Sequence, residues 1–287
     1  MNVLLIGANG QLGHELIRTY PQRMGVVLNA LDFPDIDITD RTSLDQSIKK
    51  NVPDLIINAA AYTNVDGAEQ DRDNAYDVNS NGAKNLAQIC QERRLRLVHI
   101  STDFVFSGAH NRPYKPHDKT MPLSVYGKSK LEGENAVLEI LDKDALIIRT
   151  AWLYSSHGNN FVKTMLRLMA EKESLSIVDD QIGTPTWAHG LAKILWKAVQ
   201  NNLAGIYHWT DFGIASWYDF AVAIQEEAHA AGILLKKIPL IPISTDQYPT
   251  PAQRPFFSVL DKTAICESLD VEPVHWRVQL GRMIKEL

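Results

Sequence analysis

Tyr126-Gly127-Lys128-Ser129-Lys130 sets a phenol and an ammonium four residues apart. On a helix such a pair shares one face. A lysine there favours the tyrosinate and draws the phenol from its ordinary pKa of about 10 towards neutrality. The phenol then becomes a usable general acid for the reduction of a carbonyl. The spacing alone is common on surface helices, where a solvated pair is the plainer reading. Ser101-Thr102-Asp103, upstream at the end of a predicted strand, strengthens the chemical one. Ligands of open α/β sheets sit beyond the carboxyl ends of the strands, so Thr102, with Asp103 beside it, is placed to hold a substrate oxygen.

A second group of residues suits a dinucleotide. Gly7-Ala8-Asn9-Gly10-Gln11-Leu12-Gly13 is a GxxGxxG loop directly after the first predicted strand. Glycines Gly7, Gly10 and Gly13 let the backbone turn tightly and approach a pyrophosphate. The helix that follows offers free N–H groups and a positive dipole end, with Asn9, Gln11 and Leu12 at the same turn. A tight strand–helix turn with no ligand is the competing reading. Asp32, after the second strand, is placed to accept hydrogen bonds from the adenosine ribose, or is simply a solvated strand end. No Lys or Arg lies between Met24 and Arg41 to meet a 2′-phosphate. Asp37 and Ile38 are placed to border the adenine. Trp152, after the fifth strand, is suited to pack on a ring-shaped ligand or within the core.

The elements that must carry these residues alternate. Val3–Ile6, Val26–Leu31, Leu55–Asn58, Leu97–Ser101 and Ala145–Arg149 are short apolar runs predicted as strands. Helical spacing follows the glycine loop at Leu12, Leu16 and Ile17, and recurs around 41–50, 74–93 and 127–141. Strands apolar on both faces and separated by helices predict a doubly wound parallel sheet, an α/β Rossmann-like fold. Residues 1–150 are therefore expected to form the dinucleotide-binding domain. Residues 151–287 are expected to be mainly a smaller substrate-binding lobe, partly interleaved with the first. Helices are predicted there at 160–172, 188–201 and 216–231, and Pro239, Pro242, Pro249, Pro251 and Pro255 mark a loop-rich stretch.

Bulk composition narrows the classes. The 287 residues are 45% hydrophobic and 22% charged, with a formal net charge of −5. No basic face for nucleic acid or a membrane surface is indicated. Cys90 and Cys266 are isolated, which argues against a disulfide scaffold or a zinc site. The opening MNVLLIGANG has no basic n-region, and no apolar stretch approaches the ~20 residues of a membrane span. A soluble cytoplasmic protein is expected.

The combination of GANGQLG (7–13), NAAAYTNVDGAE (58–69), VNSNGAKNLA (78–87), STDFVFSG (101–108), YGKSKLEGE (126–134), RTAWLY (149–154), DDQIGTPT (179–186) and RPFFSVLD (254–261) resembles the dTDP-4-dehydrorhamnose reductase family of extended short-chain dehydrogenases/reductases. The resemblance implies hydride transfer from NADPH or NADH to the C4 ketone of a dTDP-linked 4-keto-6-deoxy sugar. It implies Tyr126 as proton donor, Lys130 as the group that lowers its pKa and holds the nicotinamide ribose, and Thr102 as a sugar-positioning residue. By the same resemblance Asn79 would support Lys130 through a water, and Ala59, Ala60 and Ala61 would border the cofactor. Thr63, Val65, Asp66 and Gln181 would line the sugar pocket, and Arg254 would meet the diphosphate unless it serves a surface ion pair. Some members form a metal-linked dimer through carboxylates on the first helix and after the PT motif. Glu15 suits the first position, but Trp187-Ala188-His189-Gly190 follows Pro185-Thr186 with no carboxylate. The resemblance therefore argues here against a magnesium bridge and for a monomer or weak homodimer. Two other readings stay open: a reductase of a different 4-keto sugar nucleotide, and a non-catalytic dinucleotide-binding regulatory subunit like that of methionine adenosyltransferase.

Overall fold

The computed structural model describes residues 1–22, 25–272 and 274–287. The first half runs β1 (Asn2–Ile6), α1 (Gln11–Thr19), β2 (Val27–Leu31), α2 (Arg41–Asn51) and β3 (Leu55–Asn58). Next come α3 (Arg72–Tyr76), a π-helical turn (Asp77–Asn81) and α4 (Gly82–Arg93), which join end to end. Then follow β4 (Arg96–Thr102), α5 (Val125–Leu141) and β5 (Ala145–Thr150). The second half holds β6 (Leu153–Tyr154), α6 (Phe161–Glu171), β7 (Leu175–Val178), β8 (Ile182–Gly183), β9 (Thr186–Trp187) and α7 (Ala188–Gln200). It continues with β10 (Gly205–His208), β11 (Ala215–Ser216), α8 (Trp217–Ala230), β12 (Leu240–Ile243), α9 (Thr263–Leu269) and α10 (Trp276–Ile284).

Six strands form one sheet in the order β2-β1-β3-β4-β5-β10, parallel throughout. The chain winds outward from β1 in both directions, so the topological switch point lies between β1 and β3, where such sheets open a crevice. Val3, Leu5, Ile57, Ile148 and helix α7 residues Leu191 and Leu195 fill one side of the sheet. Leu4, Ile6, Ile56, Ile147 and α4 residues Leu86 and Ile89 fill the other. The alternation along each strand explains why these runs are apolar at every position.

The doubly wound sheet agrees with the sequence reading. The boundary near residue 150 is softer than the simple division: β10 completes the sheet against β5, and α7 packs on α1. α9 joins the sheet-side core through Ile265 and Leu269, while α6, α8 and α10 surround a second core of Tyr154, Met165, Met169, Trp187, Phe220, Trp276 and Leu280. A buried ion pair, Arg149 Nη2 to Glu134 Oε2 at 2.6 Å, ties β5 to α5. Among the described residues, no helix is long and apolar enough to cross a membrane.

Candidate active site

The carboxyl ends of β1 to β5 open into a cavity of about 1100 Å³. Gly7 turns the chain out of β1 at φ +89°, and a Cβ there would sit 2.5 Å from the Ala60 nitrogen. At Gly13 a Cβ would sit 2.0 Å from the Gly7 carbonyl oxygen, so α1 can start this close to β1 only with glycine. Gly7, Asn9, Gly10, Gln11, Leu12, Asp32, Asp37, Ile38, Ala59, Ala60 and Ala61 all line the cavity. Gly13 supports the loop from behind. Asp32 accepts from the Asn9 N–H at 2.6 Å and the Phe33 N–H at 2.8 Å, so it binds the glycine loop to the end of β2. Asp37 accepts from the backbone and hydroxyl of Thr39 at 2.9 and 2.8 Å. The glycine turn, the start of α1 and the oriented Asp32 fit a dinucleotide, with its pyrophosphate over the first turn of α1. Among the described residues lining the cavity, Lys130 and Arg254 are the lysine and arginine; Lys130 bonds to the Ile100 carbonyl towards the end of β4, and Arg254 to Asp66 beyond β3.

The middle of the cavity holds Thr102, Tyr126 and Lys130. Ser124 caps α5 by accepting from the Gly127 N–H at 3.2 Å, and Glu69 accepts from the Val125 N–H at 2.8 Å. These bonds fix the first turn, and with it Tyr126. The Phe104 ring stands edge-on to Tyr126 with centroids 5.6 Å apart. The Thr102 hydroxyl donates to Asp103 Oδ1 at 3.1 Å and accepts from the Phe104 N–H at 3.2 Å. One turn beyond Tyr126, the buried Lys130 amine donates to the Ile100 carbonyl at 2.7 Å.

The electrostatics depart from the expected lowering of the phenol. Burial pushes Tyr126 up to about 12, with the neighbouring Asp103 adding to the rise and a hydrogen bond with Thr102 opposing it. Lys130 itself is pulled down to about 8 by burial, partly offset by Glu134. The physical reason is that desolvation acts on both groups. Asp103, almost fully enclosed, is pushed up to about 6 by burial despite the Ser258 and Thr102 hydroxyls. Its Oδ2 has no hydrogen-bond partner.

Asn79 stands on the π-helical turn Asp77–Asn81. Asn79 Oδ1 accepts from the Tyr62 N–H at 2.9 Å, and Nδ2 donates to the Tyr62 carbonyl and the Ser129 hydroxyl, both at 3.1 Å. It clamps the segment after β3 to α5. A π turn redirects a side chain at such a place.

At the far end Thr63, Val65, Trp152 and Arg254 line the cavity, while Asp66 and Gln181 do not. Asp66 grips Arg254 with bonds of 2.7 and 3.0 Å. Burial draws the Asp66 carboxyl upward, yet the bonds from Arg254 and the Ala252 N–H hold it below the ordinary carboxylate range. The Arg254 ion pair offered as an alternative thus exists, and it aims the guanidinium at the cavity. Trp152, in the left-handed region at φ 45°, lies parallel to Trp217 with centroids 3.5 Å apart. Gln181 accepts from Trp217 Nε1 at 3.2 Å and donates to Thr245 Oγ1 at 3.1 Å. It lines an adjoining cavity of about 380 Å³ that shares Arg254.

Sequence reasoning passed over Phe33, Phe104, Asn160, Phe161 and Trp217, all of which line the main cavity. Asn160 caps α6 through the Lys163 N–H at 3.1 Å and donates to Gln11 at 2.9 Å. An Asn before an apolar-periodic run is a readable cap signal. The aromatic residues carry no such local mark.

Glu15 is fully buried. It accepts from Ser155 Oγ at 3.0 Å and Arg18 Nε at 3.0 Å and meets His189 Nδ1 at 2.9 Å. Among the described residues no group of three or more His, Cys, Asp or Glu side chains is arranged to hold a metal ion.

A doubly wound sheet with a glycine turn at its switch point and a Thr/Tyr/Lys set beside it defines a nucleotide-cofactor-dependent reductase of the short-chain dehydrogenase type. A family model described as RmlD substrate binding domain matches residues 1–287, and the chain belongs to that family. It is 42% identical over 282 residues to the dTDP-4-dehydrorhamnose reductase of Aggregatibacter actinomycetemcomitans, covering 96% of this chain and 95% of that one. The crystal structure of a dTDP-4-dehydrorhamnose reductase from Clostridium acetobutylicum superposes with a TM-score of 0.92 at 39% identity, over 100% of this chain and 99% of the other. That of Bacillus anthracis, in complex with NADP, gives 0.93 at 37% identity over the same shares, 100% and 99%.

Proposed function

We propose that this protein reduces the C4 ketone of dTDP-4-dehydro-β-L-rhamnose to give dTDP-L-rhamnose, using NADPH or NADH. The observation that supports this most is the continuity of one cavity, from the glycine turn through Thr102, Tyr126 and Lys130 to Trp152 and Arg254. A bound nicotinamide would supply the hydride. Asp32 would hold the adenosine ribose, and the first turn of α1 the pyrophosphate that joins the cofactor's two halves. As negative charge grows on the C4 oxygen, Tyr126 gives it the phenolic proton, and the Thr102 hydroxyl, turned from Asp103 to the substrate, donates to that oxygen. With a pKa of about 12 the phenol keeps its proton at neutral pH until the oxygen calls for it. Trp152, stacked on Trp217, lines the cavity at the end that takes the sugar. Arg254, set by Asp66, binds the diphosphate, and the cavity beside Gln181 takes the nucleoside end. The protein acts in the cytoplasm as a monomer or weak homodimer.

The test is incubation with dTDP-4-dehydro-L-rhamnose and each nicotinamide cofactor, followed by product analysis. Cofactor oxidation matched by dTDP-L-rhamnose is the expected result. Tight cofactor binding with no turnover on this or another 4-keto sugar nucleotide defeats the reading and favours a regulatory subunit.

A further inference from the structure

His99 stands in the middle of β4 and was passed over as one polar residue in an apolar strand. It is 1% exposed, and Lys130 beside it 2%. The surroundings of its ring determine which nitrogen carries the proton. The Ala60 backbone N–H donates to Asn58 Oδ1 at 3.2 Å. A backbone N–H is always a donor, so the Asn58 amide cannot be turned round without opposing two donors. Asn58 Nδ2 therefore faces His99 Nδ1 at 3.2 Å, and Nδ1 must accept. Burial and the nearby Lys130 keep the imidazole neutral, far below its ordinary range. A neutral ring that accepts at Nδ1 carries its proton at Nε2. Nε2 lies 3.5 Å from Lys130 Nζ.

The lysine thus meets a donor. An ammonium has no lone pair to receive that proton, whereas an uncharged amine has one. The amine can still donate to the Ile100 carbonyl in either state. Other titratable groups do not supply this bias. On its own helix Lys130 has Tyr126 and Glu134, and Glu134 is engaged by Arg149 of β5. Past the end of β4, Asp103 adjoins Tyr126, and β3 brings only the neutral Asn58.

We propose that His99 is a positioning residue for Lys130: fixed by Asn58 as the Nε2–H tautomer, it donates to the uncharged amine and so stabilises the lysine after it has passed a proton to Tyr126. This rests on the reductase reading for its use in turnover. When the Tyr126 O–H bond breaks, the C4 oxygen gains the proton. A Lys130 N–H bond then breaks as the phenol O–H re-forms, and the neutral amine takes the His99 hydrogen bond. The amine regains its proton from solvent. No redox step is involved beyond the hydride transfer already described.

The test reads the protein alone, so it can fail while the reductase reading stands, and the reverse. Long-range ¹⁵N correlation NMR of the imidazoles, with the His99 signal assigned by its loss in His99→Gln, should show the Nε2–H tautomer. An Nδ1–H tautomer overturns the proposal. The Lys130 amine is then titrated through its ε-methylene signal, assigned by its loss in Lys130→Met. Asn58→Asp forces His99 to donate from Nδ1 and turns Nε2 into an acceptor, and His99→Gln can offer its carbonyl to the amine. In each variant the Lys130 midpoint should rise by about one pH unit. A midpoint unchanged in the variants that fold overturns the proposal. Should neither fold, the wild-type tautomer alone decides.

Discussion

Asp103 is the residue whose charge the fold opposes most visibly beside the reacting groups. Replacing it with Asn keeps the shape and an acceptor for the Thr102 hydroxyl, and removes the charge. The magnitude follows from its pKa, raised by burial from an ordinary 3.8 to about 6. A carboxyl raised in the folded state binds protons more tightly there than when unfolded, so stability falls as pH rises. The loss begins near the unfolded value, grows through the interval to about 6 and is complete above it. Two units at 1.36 kcal/mol each give a total of about 3 kcal/mol. Roughly half of that is lost by about pH 5 and nearly all by about pH 8. The stability of Asp103→Asn relative to wild type should therefore improve by about 1 kcal/mol between those two pH values. Urea denaturation of both proteins at both pH values measures it, and the comparison across pH cancels any packing difference that pH does not change. A gap that stays constant with pH would refute the buried-carboxylate reasoning. Such a gain would come at the expense of a group that lines the active cavity, the usual relation between stability and function at such places.

Three further outcomes are expected. Tyr126→Phe keeps the ring against Phe104 and removes the donor, so kcat should fall by about 10²–10⁴-fold while cofactor affinity, read by fluorescence titration, holds; near-normal turnover would dismiss Tyr126 as the acid. With Asp32 tied to the glycine loop and, among the described residues lining the cavity, no lysine or arginine bonded to Asp32, kcat/KM with NADH should at least equal that with NADPH, because a 2′-phosphate meets repulsion there; a tenfold preference for NADPH contradicts this. Because the Glu15 oxygens are already engaged by Ser155, Arg18 and His189, EDTA should leave activity and light-scattering mass unchanged, and a dimer that dissociates in EDTA would overturn the assignment.

The parts of this fold that could be read from sequence are those where one local signal suffices. The strand-turn-helix around Gly7 to Gly13 is marked by steric need, and Tyr126 and Lys130 by helical spacing. Arg254 and Asp66 lie far apart in the chain, and nothing local announces that one aims the other. The bonds of the Asn79 amide to Tyr62 and Ser129 were not legible either, because they depend on the π turn, which residue types do not encode. The pKa order was missed for a related reason: proximity of Lys130 was visible, but the enclosure that raises Tyr126 and lowers Lys130 is a property of the whole cavity wall. Trp217 was invisible as a site residue because its stacking on Trp152 joins the start of α8 to the loop after β5, far apart in the chain.

The sixth strand has a consequence for how the chain is made. Until Gly205–His208 leaves the ribosome, β5 is an open edge whose Leu146–Arg149 backbone groups lack their partners. At about 5–20 residues per second, the nascent first half waits several seconds with that edge and the α7 side of its core uncovered. The halves therefore cannot mature one after the other. Cutting the gene near residue 150 should leave a fragment that sticks to its neighbours, and supplying the later half in trans, with β10 and α7 intact, should rescue it.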